Sequence, residues 1–457
     1  MSYVPNTDDD RAAMLAAIGL PSLASLFDDL PKDLRRPALD LPPAATEIEL
    51  RRDLRALSER NWDLDHVPCF LGAGAYRHFV PAVVGHVLSR GEFYTSYTPY
   101  QPEVSQGVLQ TIYEFQTLVC QLTGTEVANA SMYDGATALA EAALMAADIT
   151  GRRRIVLAKS VHPEYREVLR TYAQGMELEI LTVDLDGAQP ASSPSPAAAL
   201  AGNLDEEVGA LVIQQPNFYG CLEGVADLAA AAHRAGALLV VAVDPISLGL
   251  LRPPGECDAD IVIADGQSLG TSPSFGGPSV GLFACREQFL RRMPGRLVGA
   301  TTDARGQRGF VLTLQTREQH IRRERATSNI CTNEALVALA ATVYLSALGP
   351  GGLRQVAALC AQKAHYAAQR IAALPGFALR FDRPFFKEFA VRSAVPPAKV
   401  NAALLARGII GGYDLGRSYP ELADSILFCV TEMNTREEID RLVEALGEIA
   451  AGTGASP

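Results

Sequence analysis

The turn at Met132–Thr137 joins a short candidate strand, Val127–Ala130, to an alanine-rich helix. A glycine in such a turn, Gly135, lets backbone N–H groups face an anion, and the N-terminus of the helix adds a favourable dipole. The candidate phosphate cradle consists of Asp134, Gly135, Ala136 and Thr137. Taken alone, an ordinary strand-to-helix turn with Asp134 as the helix N-cap explains the segment better.

Two further polar residues follow candidate strands of the same region. His162 comes shortly after Arg154–Ala158, and Asp244 ends the most apolar strand, where ligands bind in open α/β sheets. A glycine turn, a histidine and then a strand-end aspartate, in this order, are typical of fold-type I enzymes that use pyridoxal phosphate (PLP). There the ring of the histidine would stack on the pyridine, and the aspartate would pair with the pyridine nitrogen. A capping histidine and a strand-ending turn at Asp244-Pro245 remain the alternatives.

The lysine that such an enzyme needs is missing. A PLP enzyme holds its aldehyde as a Schiff base on a lysine amine, in this fold about twenty to thirty residues after the strand-end aspartate. The chain has no lysine between Lys159 and Lys363, and the segment from Asp265 to Pro278 contains no amine. The sequence therefore predicts the fold of a PLP enzyme without its reactive group.

The elements around these residues predict an α/β domain over residues 67–326. Short apolar strands alternate with helices such as Thr137–Ala147 and Val225–Arg234, which indicates a mostly parallel sheet covered on both faces. The candidate strands are Arg154–Ala158, Glu179–Val183, Ala210–Gln214, Ala237–Val243, Asp260–Ala264 and Val280–Ala284. A segment rich in Ala, Ser and Pro, Ala188–Pro196, is expected to be a surface excursion of this domain.

Different patterns precede and follow this domain. Residues 1–66 read as a helical extension, with helices at Arg11–Ile18 and Thr46–Arg60. Residues 327–457 read as a small α+β domain. Its predicted helices are one capped by Thr332 and ending near Ala347, one at Leu353–Leu374, and two more at Lys399–Arg407 and Arg436–Ala450; its strands are Phe377–Phe381, Phe386–Arg392 and Ile426–Thr431. Thr435 and Glu438 form a capping box for the last helix.

The composition narrows the possible functions. A net charge of −12 over 457 residues argues against general binding to nucleic acids or anionic membranes. No signal-peptide pattern is seen, and no uninterrupted apolar run is long enough to span a bilayer, so we expect a cytoplasmic protein. The eight cysteines include no CxxC and the seven histidines no HExxH, so no metal site is predicted.

Several long segments resemble the P-protein of the glycine cleavage system. They are FLGAGAYRHFVPAVV (Phe70–Val84), TPYQPE (Thr98–Glu103), FGGP (Phe275–Pro278), MPGRLVG (Met293–Gly299) and FVLTLQTREQHIRRERATSNICT (Phe310–Thr332). The full-length P-protein is about twice as long, and the resemblance is to its N-terminal half, which is subunit 1 where the protein is split. In the catalytic half the Schiff-base lysine lies eleven residues before the proline of a GGP motif. The same spacing from Pro278 leads to Gln267.

The resemblance implies a subunit without its own covalently bound cofactor. Its partner, subunit 2, would carry PLP in an α2β2 heterotetramer. Together they would decarboxylate glycine and transfer the aminomethyl group to the lipoyl group of H-protein. The residues expected to reach the partner's active site are Tyr94, Tyr97, Thr98, Tyr100, Gln101, Arg322, Arg323, Thr327 and Asn329. Those expected to form a vestigial cofactor pocket are Asp134, Gly135, Ala136, Thr137, His162, Asp244 and Gln267.

Two alternative functions and two alternative interpretations of single segments remain at this point. The chain could be a stand-alone PLP enzyme, which the positions of its lysines oppose, or a scaffolding or regulatory pseudoenzyme that only binds. For the segment Arg317–Asn329, pairs four residues apart, Glu318 with Arg322 and His320 with Glu324, also fit a solvated helix with salt bridges. Tyr94, Tyr97 and Tyr100 could equally be packing residues of an interface.

Overall fold

The computed structural model describes residues 5–35, 40–184 and 202–453 and divides into two compact units, Met1–Trp62 and Asp63–Pro457. The predicted excursion Ala188–Pro196 lies outside the described residues. The domain limits predicted at 66/67 and 326/327 stay predictions.

The first unit is helical in its described part. Helices α1 (Asp8–Ile18) and α2 (Glu47–Ser58) both begin with a capping box, on Thr7 and Thr46 respectively, and a short 3-10 helix (Leu23–Phe27) lies between them. Each capping box satisfies backbone N–H groups that the first helical turn leaves free.

The second unit contains ten further helices in its described part. They are α3 (Ala82–Leu88), α4 (Gly91–Tyr94), α5 (Gln106–Thr123), α6 (Gly135–Thr150), α7 (Pro163–Ala173), α8 (Val225–Arg234), α9 (Gln319–Arg322), α10 (Ala335–Ala372), α11 (Pro397–Leu405) and α12 (Arg436–Thr453). Its strands are β1 (Val127–Ala128), β2 (Arg154–Ala158), β3 (Glu179–Val183), β4 (Val208–Gln215), β5 (Leu238–Val243), β6 (Ile261–Asp265), β7 (Gly281–Cys285), β8 (Leu297–Thr302), β9 (Arg308–Thr313), β10 (Phe377–Leu379), β11 (Glu388–Ser393), β12 (Tyr413–Asp414) and β13 (Ser425–Cys429).

The main sheet has seven strands in the order β1-β7-β6-β5-β4-β2-β3. Strands β2 to β6 are parallel, whereas β7 runs antiparallel to both β6 and β1. The six strands predicted for this region are present within two residues at each end. Parallel neighbours bring the ends of β5 and β6 to the same edge of the sheet, and this edge carries Asp244 and Asp265.

A second sheet, antiparallel throughout, has the order β10-β11-β13-β12 and its own hydrophobic core. Helix α10 packs its first part, Val337 to Cys360, into the core of the main sheet and its last part, Ala364 to Ile371, into the second core. The prediction of two helices here is confirmed: Gly349 has non-helical backbone angles (φ +61°, ψ −178°) directly before Pro350, so α10 consists of two helical parts that meet at a kink. The predicted Thr332 cap is wrong, because the N-cap is Glu334, without a side-chain hydrogen bond.

Among the described residues, α10 is the one helix long and apolar enough to cross a membrane by length and composition. Half of its most apolar 18-residue stretch is buried inside the fold. Packing into two cores accounts for that apolar character. The capping box predicted for α12 is confirmed by hydrogen bonds from the Thr435 amide to Glu438 (3.0 Å) and from the Glu438 amide to Thr435 (3.2 Å).

Candidate active-site region: a filled pocket and an exposed loop

The N-terminus of α6 is occupied by a carboxylate of the chain itself. Asp134 caps the helix, since its Oδ1 accepts from the Thr137 amide (2.7 Å), as the simpler interpretation of this turn expects. The Gly135 amide donates to Asp265 Oδ2 (3.1 Å), and Ala136 follows in the first turn. Burial raises the pKa of Asp265. A carboxylate therefore lies where the sequence suggested a phosphate.

A buried charge pair forms at Asp244, one of the residues that line the pocket. Asp244 follows β5 as predicted, and its Oδ2 lies 2.7 Å from the buried Lys387 ammonium. Lys387 reaches the pocket from the second sheet, directly before β11, and its Nζ also lies 3.5 Å from the centre of the Tyr76 ring and 3.1 Å from His78 Nε2. Burial alone would lower the pKa of Lys387, but the Asp244 carboxylate holds that pKa above its ordinary value.

Gln267, which stands where the resemblance expects a lysine, fastens a chain segment over the pocket. Its Oε1 accepts from the Tyr76 amide (2.8 Å). Its Nε2 donates to the carbonyls of Tyr76 (3.0 Å) and Thr271 (2.8 Å). A side-chain amide meets a peptide group with one donor and one acceptor, which an ammonium cannot do because it has no acceptor.

His162, which was predicted to stack on a cofactor ring, stacks on an aromatic ring of this chain instead. The His162 ring lies 4.9 Å from the Tyr165 ring at an interplanar angle of 29°, and its Nε2 is 2.9 Å from the Ala73 carbonyl. Its Nδ1 accepts from the Glu164 amide, which makes it the N-cap of α7. Burial lowers the pKa of His162. A Cβ on Gly74, whose φ is +107°, would lie 2.6 Å from His162 Nε2, so the covering segment is closely packed.

The pocket that remains is too small for PLP. Its volume is about 40 Å³, enough for a few water molecules, each of which needs roughly 10–15 Å³. It is lined by Gly74, Tyr76, His162, Tyr165, Gln214, Ala242, Val243, Asp244, Pro245, Asp265, Gln267 and Ser268. The Asp265 carboxylate would in addition repel a phosphate at α6. The residues of this chain thus do not fit PLP.

The loop predicted to face a partner is exposed. Tyr94 and Tyr97 are 68% and 82% exposed, and Gln101 is also exposed. Thr98 and the half-exposed Tyr100 are held from below by Arg296, whose guanidinium donates to Thr98 Oγ1 (3.3 Å) and Tyr100 Oη (3.0 Å). The loop is therefore fixed at its base and open at its outer face.

The segment Arg317–Asn329 is not the solvated helix that the spacing of its charges allowed. Helix α9 is a single turn that ends where Arg323 adopts a φ of +54°. Glu318 is buried, 3.6 Å from the Arg296 Nε and 3.6 Å from His320, so the pairs predicted four residues apart do not form. Arg322 and Arg323 are exposed, as is Asn329, whereas Thr327 is half-buried with its amide bonded to the Arg317 carbonyl.

Sequence reasoning missed the two central cations. Lys387 lies in the segment predicted as the small second domain, far from the glycine turn in sequence. A Lys-Glu pair inside the apolar run from Phe385 to Ala390 was the signal that could have found it. Arg296 lies inside one of the family-like segments, MPGRLVG, but nothing in the sequence showed what it contacts.

The comparisons with known structures define the class first. The glutamate decarboxylase of Lactobacillus brevis, 14% identical, matches with a TM-score of 0.66 over 93% of this chain and 98% of its own, which shows the fold alone. The chain thus has the fold of type I PLP enzymes, as predicted, including the large, mostly parallel sheet.

More similar proteins define the family. The model of the glycine cleavage system P-protein matches residues 1–446. Proteins named probable glycine dehydrogenase (decarboxylating) subunit 1 from Thermomicrobium roseum and Desulfitobacterium hafniense are 57% and 54% identical, over 99% and 98% of this chain and their full lengths. The crystal structure of an inhibitor-bound glycine decarboxylase (P-protein) matches with a TM-score of 0.88 and 47% identity, over 98% of this chain and 100% of its own. The chain belongs to the glycine cleavage system P-protein family.

Proposed function

We propose that this chain is the non-lysine-bearing subunit of glycine dehydrogenase (decarboxylating). With a PLP-bearing subunit 2 it would decarboxylate glycine, release CO2 and transfer the aminomethyl group to the lipoyl group of H-protein. The observation that carries this proposal is that groups of the chain itself take the positions that PLP would need. Asp265 accepts from the N-terminus of α6, where the phosphate would bind, and Lys387 pairs with Asp244, which would otherwise pair with the pyridine nitrogen. The reaction must then take place at a site to which this chain contributes from outside.

The exposed loop, Tyr94–Gln101, is the part of this chain that we assign to the partner's site. Tyr94 and Tyr97 offer phenol groups, and Thr98 and Tyr100 are held in place by Arg296. The partner's PLP would supply the electron sink for decarboxylation. This chain would orient the substrate, exclude water and guide the lipoyl arm.

The segment Arg317–Asn329, called the arginine-rich segment below, supports binding of an acidic group. Arg322 and Arg323 are exposed, and guanidinium groups bind carboxylates in a bidentate way. They would steer the lipoyl carrier, while Thr327 and Asn329 offer hydrogen bonds at the same edge. An α2β2 heterotetramer in the cytoplasm is part of this proposal.

The test is glycine–bicarbonate exchange with lipoyl H-protein. It is measured for this chain alone, for the lysine-bearing subunit alone and for the mixture. Activity of the mixture only is the expected result. Activity of this chain alone would overturn the proposal.

A second candidate, a scaffolding or regulatory pseudoenzyme, is favoured by the same filled pocket. It predicts that the two chains bind each other while the exchange rate of the lysine-bearing subunit stays at its level without this chain. Measuring the affinity of the two chains together with the exchange rate separates the two functions.

A further inference from the structure

Arg296 is the side chain that joins the two segments assigned to the partner's site. Its Nη1 and Nη2 donate to Thr98 and Tyr100 of the exposed loop, and its Nε lies 3.6 Å from Glu318, at the start of the arginine-rich segment. The guanidinium carbon also lies 5.2 Å from the centre of the Tyr100 ring. One buried cation, 4% exposed, thus contacts both segments.

The backbone of this arginine is anchored on the main sheet side of the unit. The Arg296 carbonyl accepts from the Ala130 amide (2.8 Å), and the neighbouring Gly295 carbonyl accepts from the Arg317 guanidinium (3.0 Å). Arg317 also donates to the Met293 carbonyl. The MPGRLVG segment is therefore held rigidly from behind, and its one side chain with a forked donor set points to the loop.

The outer side of this cluster is open. Tyr100 is 50% exposed and packs edge-on against the His320 ring, with centroids 6.1 Å apart. The His320 Nδ1 lies 3.6 Å from the same Glu318 carboxylate that faces Arg296. Arg296 and Glu318 thus hold two rings, Tyr100 and His320, at the surface in a fixed mutual geometry.

The buried pair is not arranged for stability alone. Within the described part of the chain, Arg296 Nε and Glu318 Oε1 have no hydrogen-bond partner although both are buried. Burying a polar atom without a hydrogen bond is unfavourable, because the atom loses its contacts with water and gains none in the protein. An unmade bond of this kind in a native structure calls for another reason to keep the charges, and holding two surface segments in register is one.

We propose that Arg296 is a positioning residue for the glycine reaction: it sets the distance between the Thr98–Tyr100 loop and the Glu318–His320 turn, which together face the partner's active site. The inference rests on the proposed function. Because Arg296 is buried, it acts through Thr98, Tyr100 and His320 and not by touching the substrate itself. Misplacing groups at a reaction centre by about 1 Å can cost as much as a hundredfold in rate.

The test uses the complete complex with three variants of this chain. Arg296→Lys keeps the charge but loses the fork that reaches Thr98 and Tyr100 together. Tyr100→Phe keeps the ring and removes only the hydroxyl that accepts from Arg296. Arg305→Lys, at a side chain 85% exposed in the turn between β8 and β9, is the matched control.

Three quantities are measured for each variant: the unfolding midpoint of the chain, its affinity for the lysine-bearing subunit, and kcat and KM for glycine in the exchange reaction with this chain in saturating amount. We expect kcat to fall about ten- to hundredfold for Arg296→Lys, and in the same direction for Tyr100→Phe. Affinity should stay within about twofold for Tyr100→Phe, and Arg305→Lys should behave as the wild type.

Two results would overturn the positioning role. One is a wild-type kcat for both variants at saturation; the other is a loss of activity that only follows the loss of folded chain or of complex. If Arg296→Lys does not fold, Tyr100→Phe alone decides, because its ring packing is retained. An inactive wild-type mixture would instead overturn the proposed function, which keeps the two failures distinct.

Discussion

Replacing Lys387 by methionine should destabilise the second unit strongly, because it leaves the Asp244 carboxylate in the pocket without its cation. The pair is 2.7 Å apart and its side chains are 2% and 10% exposed. Breaking a buried pair by removing one partner costs about 3–5 kcal/mol. Asp244 also accepts from the Ile246 amide and lines the small cavity, so we expect about 3 kcal/mol, the lower end.

The double variant Asp244→Asn/Lys387→Met should recover most of this loss, since it removes both charges and leaves a neutral amide beside an apolar chain of similar length. Asp244→Asn alone should be destabilising, because the Lys387 ammonium then stays buried without its carboxylate. Urea unfolding of all four proteins, followed by circular dichroism, gives the coupling free energy. Fluorescence is unsuitable, because the single tryptophan, Trp62, belongs to the first unit.

A loss of less than about 1 kcal/mol for Lys387→Met, the upper end for exposed pairs, would contradict a strongly coupled buried pair. The reasoning would also be refuted if the double variant were no more stable than the singles. The raised pKa of Lys387 fixes the pH range of the test. A raised folded-state pKa means that the contribution of the pair is complete below the unfolded pKa of 10.5 and is lost as the pH rises through the folded value.

Three other perturbations test separate parts of the structure. Burial raises the pKa of Glu141 to about 7, although its carboxylate accepts a 2.8 Å hydrogen bond from Ser328. The unfolded chain therefore ionises first, and the free energy of unfolding should fall by about 3 kcal/mol between pH 4.5 and pH 7. Glu141→Gln should flatten this fall, which urea midpoints measured across this pH range would show. Gly74→Ala should cost more than about 1 kcal/mol, because φ is +107° and the new methyl meets the His162 ring; a wild-type unfolding midpoint would contradict this. Gln267→Lys should not create a PLP-binding chain, since the pocket stays filled; an aldimine absorption band after incubation with PLP would show otherwise.

The main sheet could be predicted well because its inner strands are apolar over most of their length, as burial on both faces requires. The ends of β2 and β3 were also predicted as they are observed, although β3, at the edge of the sheet, is only partly buried. The break in α10 could also be predicted, because Gly349-Pro350 normally ends a helix, and Gly349 is non-helical there. The packing of the two parts of α10 into two different cores is revealed by no local pattern.

The places of the candidate site residues in the fold could be predicted from the sequence, but the side chains that they contact could not. Asp244 and Gly135 lie at the sheet edge where the order of motifs places them. Their partners, Lys387 and Asp265, are separated from them by more than a hundred residues, so only the folded chain brings these charges together. Long-range pairs of this kind carry no local sequence signal, and the same holds for Arg296 and its loop.

We propose that this chain serves a neighbour's cofactor and holds none of its own. The most direct measurement is the PLP content of the purified, active complex with the lysine-bearing subunit, compared with that of each chain alone. We predict PLP equimolar with the lysine-bearing subunit and none retained by this chain. PLP equimolar with the total of both chains, or bound by this chain alone, would contradict the account.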